Sequence, residues 1–218
     1  HDPQAPAQEQ FKLIGADNTR WGVTSVNGGG ARFRYFKGEL ETWEYRAVIG
    51  AHSADGIHWN KYTEPVMPWY TDTVNVAFWD DRISRYVAYV RLNEHLAIDE
   101  SGQQVGSFDY RTVARAETED FARFPAPVKI VEPDFTSTED QDMAGGGLYN
   151  SAAIKYGNAA DSYFIFPSAY HHTSDTLDIH LATSRDGIHF DRWTEPFVRL
   201  GASGQFDSKG MYMGAGLI

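Results

Sequence analysis

Two groups of carboxylates in this 218-residue chain stand beside aromatic side chains, a combination with a definite chemistry. The first is Asp72, in the run Trp69-Tyr70-Thr71-Asp72-Thr73-Val74-Asn75. The second is the acidic, Gly-rich stretch holding Glu132, Glu139, Asp140 and Asp142, ahead of Leu148-Tyr149-Asn150-Ser151. Hydrolysis of a glycosidic bond uses two carboxyl groups: one protonates the leaving oxygen, the other activates water or attacks carbon. Aromatic rings offer apolar faces against which a sugar ring can stack. Asp72 and one of Asp142 or Glu139 are therefore the candidate catalytic pair. Trp69, Tyr70, Asn75, Tyr149, Asn150, Asp207 and Tyr212 are the candidate substrate-binding residues. Each has a plainer reading beside this one: a turn for Asp72, a solvated loop for the acids, core packing for most of the aromatics.

Other chemistries find less support. There is no G-x-S-x-G nucleophile elbow, no G-x-x-x-x-G-K-[ST] phosphate loop and no H-E-x-x-H zinc helix. The runs Gly28-Gly29-Gly30 and Gly145-Gly146-Gly147 do not extend to G-x-G-x-x-G and read as flexible loops. His171-His172 is a possible metal or sugar-binding pair, but on a strand the two face opposite sides and cannot easily share one ion. No other ligand set stands out, and no cofactor is expected. With no Cys there are no disulfides, thiolate metal sites or Cys nucleophile.

A repeated motif indicates what positions these residues. Ser53-Ala54-Asp55-Gly56-Ile57-His58-Trp59 returns as Ser184-Arg185-Asp186-Gly187-Ile188-His189-Phe190, with a degenerate copy at Thr118-Glu119-Asp120-Phe121-Ala122-Arg123-Phe124. The three copies start 65 and 66 residues apart. A fixed period of this size signals a repeat architecture. Asp followed by Gly makes a tight turn, so Asp55, Asp120 and Asp186 read as turn architecture, and His52, His58 and His189 as its neighbours.

Short runs rich in Val, Ile, Tyr, Phe and Trp surround each copy, bounded by Gly, Asp, Asn and Pro, which is the strand signature. No sustained helical stripe is present. Three to four strands per unit predict an all-β fold, a β-propeller of five-bladed type with three to four blades in this chain. The predicted division is a lead-in at 1–10, then blade repeats near 11–66, 67–129 and 130–198, and the start of a further one at 199–218. An open propeller leaves unpaired edges, so the chain is expected to be part of a larger protein. Aligning the first strand of each unit puts Asp72, Tyr149 and Tyr212 at equivalent axial positions.

The charge balance, 19 basic against 30 acidic residues for a net −11, disfavours nucleic acid and anionic membrane surfaces as partners. No apolar run approaches the length of a membrane-spanning helix. The expected partner is a carbohydrate; oligomeric state is open.

The repeated S-x-D-G-x-x-W turn, Asp72-Thr73-Val74-Asn75 with Phe78-Trp79-Asp80, and Arg85-Tyr86-Val87-Ala88-Tyr89-Val90-Arg91 resemble the five-bladed propeller glycosidases, in particular relatives of glycoside hydrolase families 32 and 43. The resemblance extends from Phe11 to Ile218 and rests on repeat motifs; the Asn-Asp-Pro-Asn-Gly, Arg-Asp-Pro and Glu-Cys-Pro motifs are absent. It implies a hydrolase with carboxylates on the inner strands, secreted or periplasmic in a bacterium. The alternative is a non-catalytic carbohydrate-binding or scaffold propeller. The turn also resembles the sialidase Asp-box, but Arg46, Arg91 and Arg111 are scattered along the sequence with no motif to unite them.

Overall fold

The computed structural model describes residues 2, 4–21, 33–36, 39–42, 45–67, 71, 74–98, 104–134 and 146–216. Among them the chain is all-β, with mixed sheets and one short 3-10 turn at Ala7–Glu9. In chain order the strands are β1 (Phe11–Trp21), β2 (Phe33–Phe36), β3 (Glu39–Thr42), β4 (Tyr45–Ser53) and β5 (Asn60–Lys61). They continue with β6 (Val76–Asp80), β7 (Arg85–Ile98), β8 (Gln104–Thr118), β9 (Val128–Val131) and β10 (Gly147–Leu148). The last are β11 (Ile154–Lys155), β12 (Tyr163–Ile165), β13 (Ser168–His171), β14 (Thr176–Ser184) and β15 (Asp191–Val198). No helix among the described residues is long and apolar enough to cross a membrane.

The chain forms two compact units, His1–Ala88 with Ala116–Val128, and Tyr89–Arg115 with Lys129–Ile218. In the first, β4 runs antiparallel to β1 from Phe11↔Ser53 to Asp17↔Ala47, and β5 flanks β4. Val48 and Met67, both fully buried, bridge one another. Tyr86 meets Trp79 and Phe121 edge-on at 4.9 and 5.2 Å, and Phe121 meets Phe124 at 5.7 Å. Such T-shaped contacts align positive ring edges with negative faces. The Lys12 ammonium lies over both Tyr86 and Phe121, 5.6 and 5.5 Å from their centroids.

The second unit contains an antiparallel meander. The broken strand β10/β11 pairs with β13/β12, these pair with β14, and β14 pairs with β15. Two parallel junctions flank it: Gly147 against Arg111 of β8, and Gly210 against Leu177 of β14. Period-two alternation explains β14. Ile179 and Leu181 pack with Ala152, Phe164, Phe166, Met211 and Met213. Asp178, His180, Ala182 and Ser184 alternate with them and take the opposite face.

The motif turns close the strands in the same way. Ser53 Oγ accepts the Asp55 and Gly56 N–H groups and donates to Asp55 Oδ1, which also accepts the Ile57 and His58 N–H groups. The His58 ring meets Asp55 Oδ2 at 2.7 Å. Ser184, Asp186, Gly187, Ile188 and His189 reproduce the whole set, again with 2.7 Å at the ring. In the degenerate copy Thr118 Oγ1 accepts Asp120 N–H and Asp120 Oδ1 accepts Ala122 N–H. These aspartates are consumed by turn bonds.

Candidate functional site

The site grows from two glycines. Gly146 and Gly147 are buried rather than in a flexible loop. A methyl on Gly146 would lie 2.0 Å from the Tyr170 carbonyl oxygen, and one on Gly147 would lie 2.4 Å from that of Arg111. Gly147 also has φ +87°, a backbone that side chains rarely adopt. This close approach lets Arg111 bond Gly146 O twice, through its backbone N–H at 3.0 Å and its Nη1 at 3.1 Å. The guanidinium is thereby set against the next residues of the chain.

Tyr149 receives it. Its ring centroid lies 4.8 Å from Cζ of Arg111 and 4.6 Å from Cζ of Arg91 on β7, two cation–π contacts on one ring. Tyr170 of β13 and Tyr212 meet Tyr149 edge-on at 6.1 and 5.8 Å. Arg91 is 3% exposed whereas Tyr212 is 54% exposed, so the cluster runs from a buried cationic base to an open aromatic rim. Chemically, the exposed Tyr212 ring at the rim is available for stacking, and the arginines hold the Tyr149 ring beside it.

Of the sequence candidates, the structure brings Tyr149 and Tyr212 together. Asn150 is buried, and its Oδ1 accepts the Ser168 N–H at 2.9 Å, joining two strand segments. Asp207 caps the 201–207 turn, its carbonyl accepting Gly201 N–H at 3.2 Å. Asn75 is half-buried, immediately ahead of β6. Asp72, Glu139, Asp142, Trp69 and Tyr70 lie outside the described residues. Arg91, Arg111 and Tyr170 join Tyr149 through strand register, and no motif in the sequence marks them as its partners.

On the opposite face of β13 and β14 lies a second polar cluster. Ala169 pairs with Asp178 and His171 with Thr176, which puts His171, Asp178 and His180 on one face. His171 Nε2 is 3.2 Å from Asp178 Oδ2, and His180 Nε2 is 3.1 Å from Asp178 Oδ1. Burial pushes the Asp178 carboxyl up, but the facing His171 and His180 rings outweigh it and hold the group down at about 2. His172, on the other side, meets Tyr170 edge-on.

A shallow concavity of about 420 Å³ is bounded by Ser162, Phe164, Arg185, Asp186 and His189. It adjoins neither cluster's named residues, and its Asp186 is already spent in the turn, so it reads as a packing hollow.

No family model matches the chain, and no curated protein matches it. Solved structures match in fold. An N-acetylgalactosamine deacetylase from F. plautii, in complex with blood group B trisaccharide, is similar over 76% of this chain and 48% of its own, with 16% identity and TM-score 0.51. A glycoside hydrolase is similar over 84% of this chain and 58% of its own, with 13% identity and TM-score 0.51. A third protein, solved as an RGII complex, matches over the same shares, 84% and 58%, with 12% identity and TM-score 0.52. The chain thus has a glycosidase-like fold and spans about half the length of the solved proteins it matches.

Proposed function

We propose that the chain is the propeller portion of a glycoside hydrolase acting on an oligo- or polysaccharide, of five-bladed type and related to families 32 and 43. The antiparallel meander of the second unit has the strand order of one blade. The parallel junctions at Gly147 and Gly210 have the same form, the one set against β8 and the other against β14, as a repeat of blades would require. The solved proteins of similar fold include a glycoside hydrolase and a deacetylase bound to a trisaccharide.

The observation that carries the reading is the Tyr149–Tyr212 pair. Tyr149, backed by Arg91 and Arg111, and Tyr212 meet edge-on and would supply an aromatic platform where an axial pocket would open. In this reading Asp72 is one catalytic carboxyl and Asp142 or Glu139 the other. A separation of about 5–5.5 Å would give retention, and one of about 6.5–9.5 Å inversion. The protein would work outside the bacterial cell or in the periplasm, where polymeric glycans are met.

Reducing-sugar release from plant and algal polysaccharides and aryl glycosides tests this, with wild type beside Asp72→Asn. Release abolished by the substitution in a folded protein supports the hydrolase and its site. Release that survives it keeps the hydrolase and removes Asp72. Binding without release by the wild type replaces the hydrolase with a carbohydrate-binding propeller.

A further inference from the structure

The His171–Asp178–His180 cluster belongs neither to the motif turns nor to the Tyr149 platform, and its composition is unusual for a plain core. His180 is 1% exposed and Asp178 8% exposed. Asp178 Oδ1 and His180 Nε2 are 3.1 Å apart, within ion-pair distance but without hydrogen-bond alignment. The two atoms are close without being aimed at each other. Buried polar atoms left in this state carry an uncompensated desolvation cost.

Such a geometry is natural for atoms aimed at a common third point. Zinc bonds to imidazole and carboxylate are about 2.0–2.2 Å long. Neighbouring ligand atoms on one ion then stand about 3 Å apart in an octahedron and about 3.4 Å apart in a tetrahedron. The 3.1 and 3.2 Å separations, each to a different oxygen of Asp178, fall in that interval; one donor atom from each of the three residues lies within 4.8 Å of the others, so the side chains must draw closer together to share one ion. We infer that His171, Asp178 and His180 form a binding site for a divalent transition-metal ion, with zinc as the best match and further coordination positions left open. Two imidazoles and one carboxylate suit zinc, iron or nickel; calcium and magnesium prefer all-oxygen shells.

The second contact of His180 sharpens the inference. Arg192 of β15 stands opposite Ala182, and its Nη1 lies 3.2 Å from His180 Nδ1. A guanidinium only donates, so in this arrangement Nδ1 accepts and the ring proton sits on Nε2. Metal binding through Nε2 needs the other tautomer, with the proton on Nδ1. The proton therefore shifts from Nε2 to Nδ1 as the ion enters, and Arg192, which is only half-buried, withdraws. Arg192 thus opposes loading. A neutral acceptor in its place would orient the ring for the metal, as carbonyl and carboxylate partners do in established sites.

Isothermal titration of the chelator-treated, untagged chain with Zn²⁺ tests the site, with Ca²⁺ in parallel and Co²⁺ absorption as the spectroscopic readout. One equivalent of Zn²⁺ with micromolar or tighter affinity is expected, with no comparable uptake of Ca²⁺. Asp178→Asn and His180→Gln should each weaken binding at least tenfold with unchanged circular dichroism, and Arg192→Gln should tighten it. If the buried variants fail to fold, His171→Gln at the cluster's more exposed edge carries the same expectation. The inference is overturned if the folded wild type takes up no stoichiometric Zn²⁺. Uptake that the folded ligand variants leave unchanged overturns it equally.

Discussion

Tyr170 and His171 are adjacent in sequence and face opposite sides of β13, Tyr170 toward Tyr149 and His171 toward Asp178. One two-stranded ribbon thereby carries an aromatic–cationic cluster on one face and an imidazole–carboxylate cluster on the other. The two should be separable by mutation. Tyr170→Ala is expected to weaken glycan engagement about tenfold while leaving Zn²⁺ stoichiometry at one, and His171→Gln to do the reverse. Titrating both ligands into both variants measures this; equal loss of both in either variant would mean the clusters act as one.

The paired motif turns give a stability contrast. Gly56 and Gly187 have φ of +75° and +76°, so alanine is strained at both, by about 1 kcal/mol. Only at Gly187 is there also a clash, with the new methyl 2.8 Å from the Tyr89 hydroxyl and 3.2 Å from the Tyr163 ring; at Gly56 the nearest atom is 3.4 Å away. Overpacking of this kind adds about 1–3 kcal/mol. Urea unfolding should show Gly187→Ala as clearly the more damaging of the two.

The first turn should also titrate. The His58 ring, followed by the His58 and Ile57 amides, holds the Asp55 carboxyl well below its usual range, and Asp55 in turn raises His58. A lowered acid stabilises above its unfolded value of about 3.9 and loses that contribution as pH falls through the folded one. A raised histidine stabilises below about 6.5 and loses it as pH rises through the folded value. The pair is therefore fully engaged between about pH 4 and 6.5. In an NMR titration the His58 midpoint should lie above that of an ordinary histidine and fall back in Asp55→Asn. Identical midpoints in the two proteins would remove the pair from the turn's energetics.

Asn150 separates frame from site. Asn150→Ala leaves the buried Ser168 N–H without its acceptor, a loss of about 1–3 kcal/mol. Thermal unfolding should show that loss, with glycan affinity per folded molecule unchanged. Affinity lost at full stability would instead put the amide in contact with sugar.

The turns were legible because their chemistry is local: Ser53, Asp55 and Gly56 satisfy one another within four residues, as do Ser184, Asp186 and Gly187. The all-β class was legible from alternation such as that of Thr176 to Ser184. What could not be read depends on register. Gly146 and Gly147 look like loop glycines until the Tyr170 and Arg111 carbonyls are brought against them. That His171 and His172 face opposite sides follows from a strand's alternation, but that the companions of His171 come from β14 depends on register. Arg91 and Arg111 lie on the neighbouring strands β7 and β8, and both reach the ring of Tyr149, which comes much later in the chain.

The central claim is that the Tyr149 cluster faces carbohydrate, and the exposed ring of Tyr212 tests it most directly, because its truncation spares the core. Wild type and Tyr212→Ala would be compared for binding and reducing-sugar release on the same glycan panel. The account predicts at least one glycan engaged by the wild type and about tenfold weaker engagement by the variant, equivalent to about 1.4 kcal/mol. Glycan engagement that Tyr212→Ala leaves intact, or none by the folded wild type, would contradict it.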